Sequence, residues 1–250
     1  MLELEDAGSI RTLRLARPPV NALDAHLLAA LDAAVQAAPA DGVRGIVLTG
    51  ASGRWSAGLD VGVLATLDRP GLEAFLGTFF RCLLTLARSP IPIVCAIKGA
   101  SPAGGAVLAL YCDRRVMQRG PGPIGLNEVQ VGLFPGPLIH GVLMRIVGAR
   151  LAAEFLATGA LLSADEALAA GFVDELADPG EEEATARRWL DKVLALPAHA
   201  YLATRALVRR DLREATEASA GPEGSVLVNA WTSPETVAAI RALLARLQRR

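Results

Sequence analysis

A chain of 250 residues with 52% hydrophobic side chains and a mean hydropathy of +0.36 can bury a large core and is no disordered segment. Its 25 basic and 26 acidic side chains leave a net charge of −1, which excludes a nucleic-acid binder working by bulk electrostatics. Cys82, Cys95 and Cys112 are widely spaced in apolar runs without a CxxC, and the histidines lack ligand spacing, so reduced buried thiols and no metal are expected.

Residues 1–6 resemble neither a signal nor a transit peptide. Charge-free runs such as 129–144 are broken by Gly and Pro before reaching about 18 apolar residues. The expectation is a soluble, cytoplasmic protein without a membrane partner.

Residues 2–5 and 10–15 alternate apolar with charged or polar side chains around Asp6-Ala7-Gly8-Ser9, which predicts a hairpin. Arg17-Pro18-Pro19 is extended and leads to Asp24, the cap of a helix over 25–38. An apolar strand over 45–49 follows, then the glycine-bearing exit Ser56-Ala57-Gly58-Leu59-Asp60-Val61, in which Asp60 reads as a helix cap. Phe75, Phe79, Phe80, Leu83 and Leu86 recur at helical spacing and predict a helix over 71–87 with a core-facing stripe.

The strand over 92–97 opens into Lys98-Gly99-Ala100-Ser101-Pro102-Ala103-Gly104-Gly105. Pro102 suits a helix entry, and Gly104 and Gly105 then fall in a first turn whose N–H groups lack intrahelical partners. The glycines admit two readings: close approach of a ligand to the backbone, or close packing of helix on strand. Asp113 reads as an ion pair with Arg114 or Lys98.

Residues 114–119 predict a strand with one side toward water, 120–123 a turn, and 124–126 an extended path into Glu128. That carboxylate is the only charge among apolar residues and glycines from Pro123 to Gly136. Burial there raises a carboxyl pKa toward what a base near neutral pH requires, the alternative being a turn carboxylate capping a backbone N–H. Asn127 either orients Glu128 and contacts a ligand or is a turn residue.

A helix over 138–147 stops at Gly148, Ser163-Ala164-Asp165-Glu166 matches a capping box closed by Gly171, and 172–176 is a last strand. Beyond Asp178-Pro179-Gly180 the pattern is helical only, over 181–196, 198–215 and 234–249. Arg187-Arg188, Arg209-Arg210 and Arg249-Arg250 read there as solvated faces. Two regions follow, an α/β core over 1–178 and a helical region over 179–250.

Ser56-Ala57-Gly58-Leu59-Asp60, then Pro102-Ala103-Gly104-Gly105 with Ala109-Leu110-Tyr111-Cys112-Asp113-Arg114, then Ile124-Gly125-Leu126-Asn127-Glu128 resemble, in that order, the crotonase (enoyl-CoA hydratase/isomerase) superfamily. The third motif with Pro-Ala-Gly-Gly is most similar to its mitochondrial-type Δ3,Δ2-enoyl-CoA isomerases. The resemblance runs from Asn21-Ala22-Leu23 to the C-terminal helices. It implies a crotonase-like spiral of ββα units with a C-terminal helical trimerisation region, and a homotrimer or dimer of trimers.

The resemblance further implies an acyl-CoA thioester substrate, with CoA as part of the substrate and no separate cofactor. Leu59 and Gly104 would supply the backbone N–H groups of an oxyanion hole. Glu128 would be the acid–base catalyst. Ala57, Gly58, Leu59, Asp60, Val61, Gly104 and Asn127 would bind substrate, the phenylalanine stripe could wall an acyl tunnel, and Arg17, Arg54 and Lys98 are candidates for CoA phosphates. Hydratases carry a second glutamate where Val107 stands, so the implied reaction is a single-glutamate conversion of 3-enoyl-CoA to 2-trans-enoyl-CoA in fatty-acid β-oxidation. The alternatives are another acyl-CoA reaction on the same scaffold (hydration, thioester hydrolysis or decarboxylation) or a non-catalytic acyl-CoA-binding homologue. The segment around His140, after Phe134-Pro135-Gly136-Pro137, departs from both hydratase and isomerase patterns and leaves the acyl pocket's shape open.

Overall fold

A computed structural model describes residues 1–51, 53–219 and 222–247. The hairpin forms as β1 (Leu2–Ala7) and β2 (Ile10–Leu15), and α1 (Ala25–Ala37) starts where the Asp24 side chain accepts from Leu27 N. Next come β3 (Gly45–Gly50), the one-turn α2 (Val61–Leu64) and α3 (Arg69–Arg88), the last two capped by Asp60 and Asp68. Then follow β4 (Ile93–Ile97), β5 (Ser101–Pro102), α4 (Gly104–Leu110), β6 (Arg114–Gln118) and β7 (Ile124–Gly125). The chain continues with α5 (Pro137–Thr158), α6 (Ala164–Ala169), whose capping box is present, and β8 (Glu175–Ala177). It ends with α7 (Glu182–Leu194), α8 (Ala198–Val208), α9 (Arg210–Ser219), α10 (Pro222–Trp231) and α11 (Pro234–Leu247).

The main sheet runs β1-β2-β3-β4-β6-β8, parallel except for the first pair. After β2, β3, β4 and β6 the chain makes a second, shorter extended contact. Leu23 bridges Leu59, and β5 pairs in parallel with β7. Each turn of chain therefore gives one strand to the long sheet and one short strand to an inner layer, and a helix generally follows. This is the ββα spiral.

Both faces of the long sheet are covered. Leu13, Leu48, Cys95, Ile97 and Met117 join the main core, while Val47, Val94, Ala96 and Val116 pack under Ala186 and Leu190 of α7. Parallel strands buried on both sides read as continuous apolar runs. This corrects the expectation that one side of 114–119 faces water, since β6 lies between β4 and β8 and α7 closes the outer face. The three cysteines are buried and unpaired.

Gly148, at φ 79° and ψ 162°, ends the first helical segment of α5 as expected, and a second segment runs on to Thr158. The predicted helix over 198–215 is two, broken at Arg209. Helix α10 is absent from the sequence reading, because Pro222 and Gly224 mask its Leu227–Trp231 spacing. Arg209 is buried rather than solvated, donating to the carbonyls of Leu86 and Tyr111. Arg249 and Arg250 lie outside the described residues. Helix α3 is long and apolar enough to cross a bilayer by composition alone, yet its phenylalanine stripe is buried within the molecule.

Candidate active site

The loop from Trp55 to Asp60 is held on every side. Trp55 Nε1 donates to Gly105 O at 2.7 Å, Ser56 Oγ donates to Asn21 O at 2.7 Å, and Ala57 N donates to Val20 O at 2.9 Å. Gly58, at φ 87°, turns the chain so that Leu23 N donates to Gly58 O and Asp60 N to Leu23 O, at 2.8 and 3.0 Å. In a parallel bridge the intervening residue points its own N–H the other way. Leu59 N–H therefore faces away from Leu23.

What it faces is the start of α4. Ala103 sits at φ 50°, a costly conformation for a residue with a β-carbon, and its N–H is pinned to Gly125 O at 2.8 Å. Gly104 N, the first of the helix, has no carbonyl below it to bond. A β-carbon on Gly104 would lie 3.1 Å from Leu59 N, and one on Gly58 would lie 3.1 Å from Gly104 N. Neither N–H has a hydrogen-bond acceptor among the described residues. The two readings of the glycine pair thus divide between its members. Gly104 opens on a cavity, whereas a β-carbon on Gly105 would strike Ser56 O at 2.6 Å, so Gly105 serves close packing. Pro102 belongs to β5 rather than the helix entry.

The other wall follows β7. Leu126 is buried, Asn127 makes no capping bond, and Glu128 opens a 3₁₀ turn (Glu128–Val131) closed by Gly132 at φ 74°. Leu133 N donates to Glu128 O at 2.9 Å, and Thr236 Oγ1 of α11 fastens Gly132 O at 2.8 Å. Although part of the Glu128 residue is exposed, its Oε2 is buried without a hydrogen-bond partner. Burial pushes the carboxyl up to about 7, against a smaller opposing pull from its own backbone N–H.

These groups share one cavity of about 470 Å³. Ala57, Leu59, Asp60, Val61, Gly104, Asn127 and Glu128 all line it, and Gly58 stands behind the wall as the turn that aims Leu59. Phe79 and Phe80 of the phenylalanine stripe line it together with Leu76, while Phe75, Leu83 and Leu86 serve the core. Val107 forms part of the wall. Sequence reasoning missed the closing side, which includes Leu133, Phe134, Ile139, Leu227, Trp231, Leu243 and Leu244. The four- and three-residue spacing within Leu227–Trp231 and Ile240–Leu244 was the available signal. His140 is exposed and outside the cavity.

Several charged candidates are committed elsewhere. Arg17 bridges the helix caps Asp24 and Asp60 at 2.9 and 2.6 Å, and Asp60 also accepts from Val63 N. Lys98 pairs with Glu182 and Glu183 of α7 at 3.1 and 2.8 Å. Arg54 is exposed without a partner among the described residues. Asp113 pairs with neither Arg114 nor Lys98. It takes both prongs of Arg205 at 2.8 Å each, and Arg114 goes to Glu175.

The site is an apolar cleft whose wall includes Leu59 and Gly104, with N–H groups that have no acceptor among the described residues, and Glu128, whose carboxyl burial makes a strong proton acceptor. Such a site holds developing negative charge on an oxygen while a proton moves. Residues 5–235 match the family model for enoyl-CoA hydratase/isomerase. Mitochondrial enoyl-CoA delta isomerase 1 of Mus musculus is 33% identical over 213 residues, 84% of this chain and 74% of the mouse protein. A Thermus thermophilus protein, named as a candidate enoyl-CoA hydratase, is 41% identical over 169 residues, 64% of this chain and 63% of its own. The crystal structure of human mitochondrial delta3-delta2-enoyl-CoA isomerase superposes with a TM-score of 0.95 at 28% identity, covering 99% of this chain and 98% of that one. The chain belongs to the enoyl-CoA hydratase/isomerase family and has the crotonase fold.

Proposed function

We propose that the protein is a Δ3,Δ2-enoyl-CoA isomerase of fatty-acid β-oxidation. The thioester oxygen of a 3-enoyl-CoA sits between Leu59 N–H and Gly104 N–H. Glu128 removes a proton from C2, the two amides hold the resulting dienolate oxygen, and Glu128 returns the proton at C4. The product is the conjugated 2-trans-enoyl thioester. One carboxylate suffices because the proton is only relocated, and the step needs no oxidant and no cofactor beyond the CoA of the substrate.

The observation that carries this reading is the inventory of titratable groups on the cavity wall. Among the described residues only Asp60 and Glu128 line it, and Asp60 is occupied by Arg17 and Val63 N. By family resemblance hydration uses a second carboxylate at the position of Val107, and here that position is a buried valine on the cavity wall. Lost donors of this kind typically cost about 2.7–4 kcal/mol each, so the amide pair supplies much of the acceleration.

The test offers 3-enoyl-CoA and 2-enoyl-CoA separately and follows the conjugated-enone absorbance. Appearance from the first substrate supports the isomerase, and disappearance from the second would replace it with a hydratase. For assembly we propose a homotrimer or a dimer of trimers, supported by family resemblance and by the exposed Leu196, Leu202, Leu207 and Val208. Light scattering reads the mass.

A further inference from the structure

The acyl cavity shares one lining residue with a second, smaller cavity. That cavity, of about 160 Å³, lies among Leu64, Leu67, Leu72, Val237 and Ile240 at the junction of α2, α3 and α11. Trp231 lines both. It is the last residue of α10, 8% exposed, and its indole N–H has no hydrogen bond among the described residues. No hydrogen bond among the described residues ties the ring, so packing positions it. Truncating it therefore removes a wall without orphaning a polar group.

We propose that Trp231 is the partition that sets acyl-chain length: it closes the first chamber, and the second chamber is the unused continuation for the distal methylenes of a longer straight-chain acyl group. The inference rests on the acyl-CoA reading above but not on the isomerase chemistry. The chemistry of the lining selects the occupant. Leu64, Leu67, Leu72, Val237 and Ile240 border the second chamber with hydrocarbon, and the exposed Ala65, Thr232 and Arg241 stand at its solvent side, the Thr232 hydroxyl already donating to Val228 O. Each methylene buried in such a place adds about fourfold in affinity. Without the partition, chains too long for the first chamber regain that increment.

The experiment measures dissociation constants of saturated acyl-CoAs from hexanoyl to hexadecanoyl by calorimetry on the full chain. The variants are Trp231→Ala, the milder Trp231→Leu, and Trp231→Ala with Ala65→Phe, which fills the second chamber. For the wild type, affinity should rise with length and then level off. For Trp231→Ala the hexadecanoyl-to-octanoyl affinity ratio should rise at least about tenfold, with a smaller rise for Trp231→Leu, and Ala65→Phe should abolish the gain. If Trp231→Ala proves unfolded by circular dichroism, the Trp231→Leu ratio decides with and without Ala65→Phe. A uniform change at every length, a gain that survives Ala65→Phe, or no binding at any length would overturn the proposal. Because saturated thioesters are not turned over, failure of the isomerase assay with the length break intact would overturn the catalytic reading and leave this one standing.

Discussion

Gly104 approaches Leu59 so closely that a β-carbon on the glycine would lie 3.1 Å from Leu59 N and 3.2 Å from its Cδ2. Two amides without an acceptor among the described residues border that gap, the proposed place for the oxyanion. Gly104→Ala should therefore cut kcat by about 10²–10³-fold, the effect of losing one such donor. Gly104 is not in the left-handed region, so alanine adds no backbone strain, and any shift in thermal unfolding should be limited to the cost of the tight contact with Leu59. Steady-state kinetics beside a melting curve separate the two. A large loss of stability with kcat retained would contradict the assignment.

In the proposed reaction Glu128 carries the proton, so Glu128→Gln should abolish isomerisation while acyl-CoA still binds. The amide keeps the shape but accepts no proton. In the wild type kcat/KM should climb about tenfold per pH unit below a pKa near 7 and level off above it, because the base works ionised. A flat profile from pH 5 to 8 would remove Glu128 from the rate-limiting step.

The same carboxyl makes a stability prediction. Its folded pKa of about 7 lies above the ordinary 4.5, so the folded state holds this proton more tightly. The associated stabilisation is complete below about pH 4.5 and lost as pH rises through about 7. Glu128→Gln never pays for ionisation in the buried site. It should be more stable than wild type by ~1–3 kcal/mol at pH 8, with the difference vanishing at pH 4, as read by urea unfolding.

Val107→Glu places a second carboxyl on the cavity wall. It should add measurable hydration of 2-enoyl-CoA, seen as loss of the conjugated absorbance, at a stability cost on the order of 1–3 kcal/mol for the buried polar group. A folded variant with no hydration would show that one side chain does not separate the two reactions.

Arg205 and Asp113 form a forked pair in the interior, and Arg205 also donates to Ser89 O. Asp113 additionally accepts from Ile93 N, so the pair ties α8 to the start of β4. Arg205→Leu removes the fork and leaves Asp113 with the longer ion pair to Arg209 at 3.4 Å, so it should destabilise the chain by no more than the about 3–5 kcal/mol of a fully broken buried pair. Denaturant unfolding checks this. A change under about 1 kcal/mol would mean that Arg209 alone compensates Asp113.

The sequence by itself determined whatever rests on local backbone physics. Asp24, Asp60 and Ser163 cap helices because each side chain reaches an amide three residues on. Glycines after two apolar strands announced free amides near strand ends, and Glu128, alone among apolar neighbours, announced a raised pKa. Tertiary structure decided what depends on residues distant in the chain. It chose Gly104 over Gly105 as the open glycine through the position of Ser56 O, and it took Asp113 from its neighbour Arg114 and gave it to Arg205. It also brought α10 and α11 back over the cavity, so that Trp231 faces Leu76 and Phe79 across more than 150 residues of chain. Periodicity shows that such a helix has an apolar side; only the packed spiral determines what that side meets.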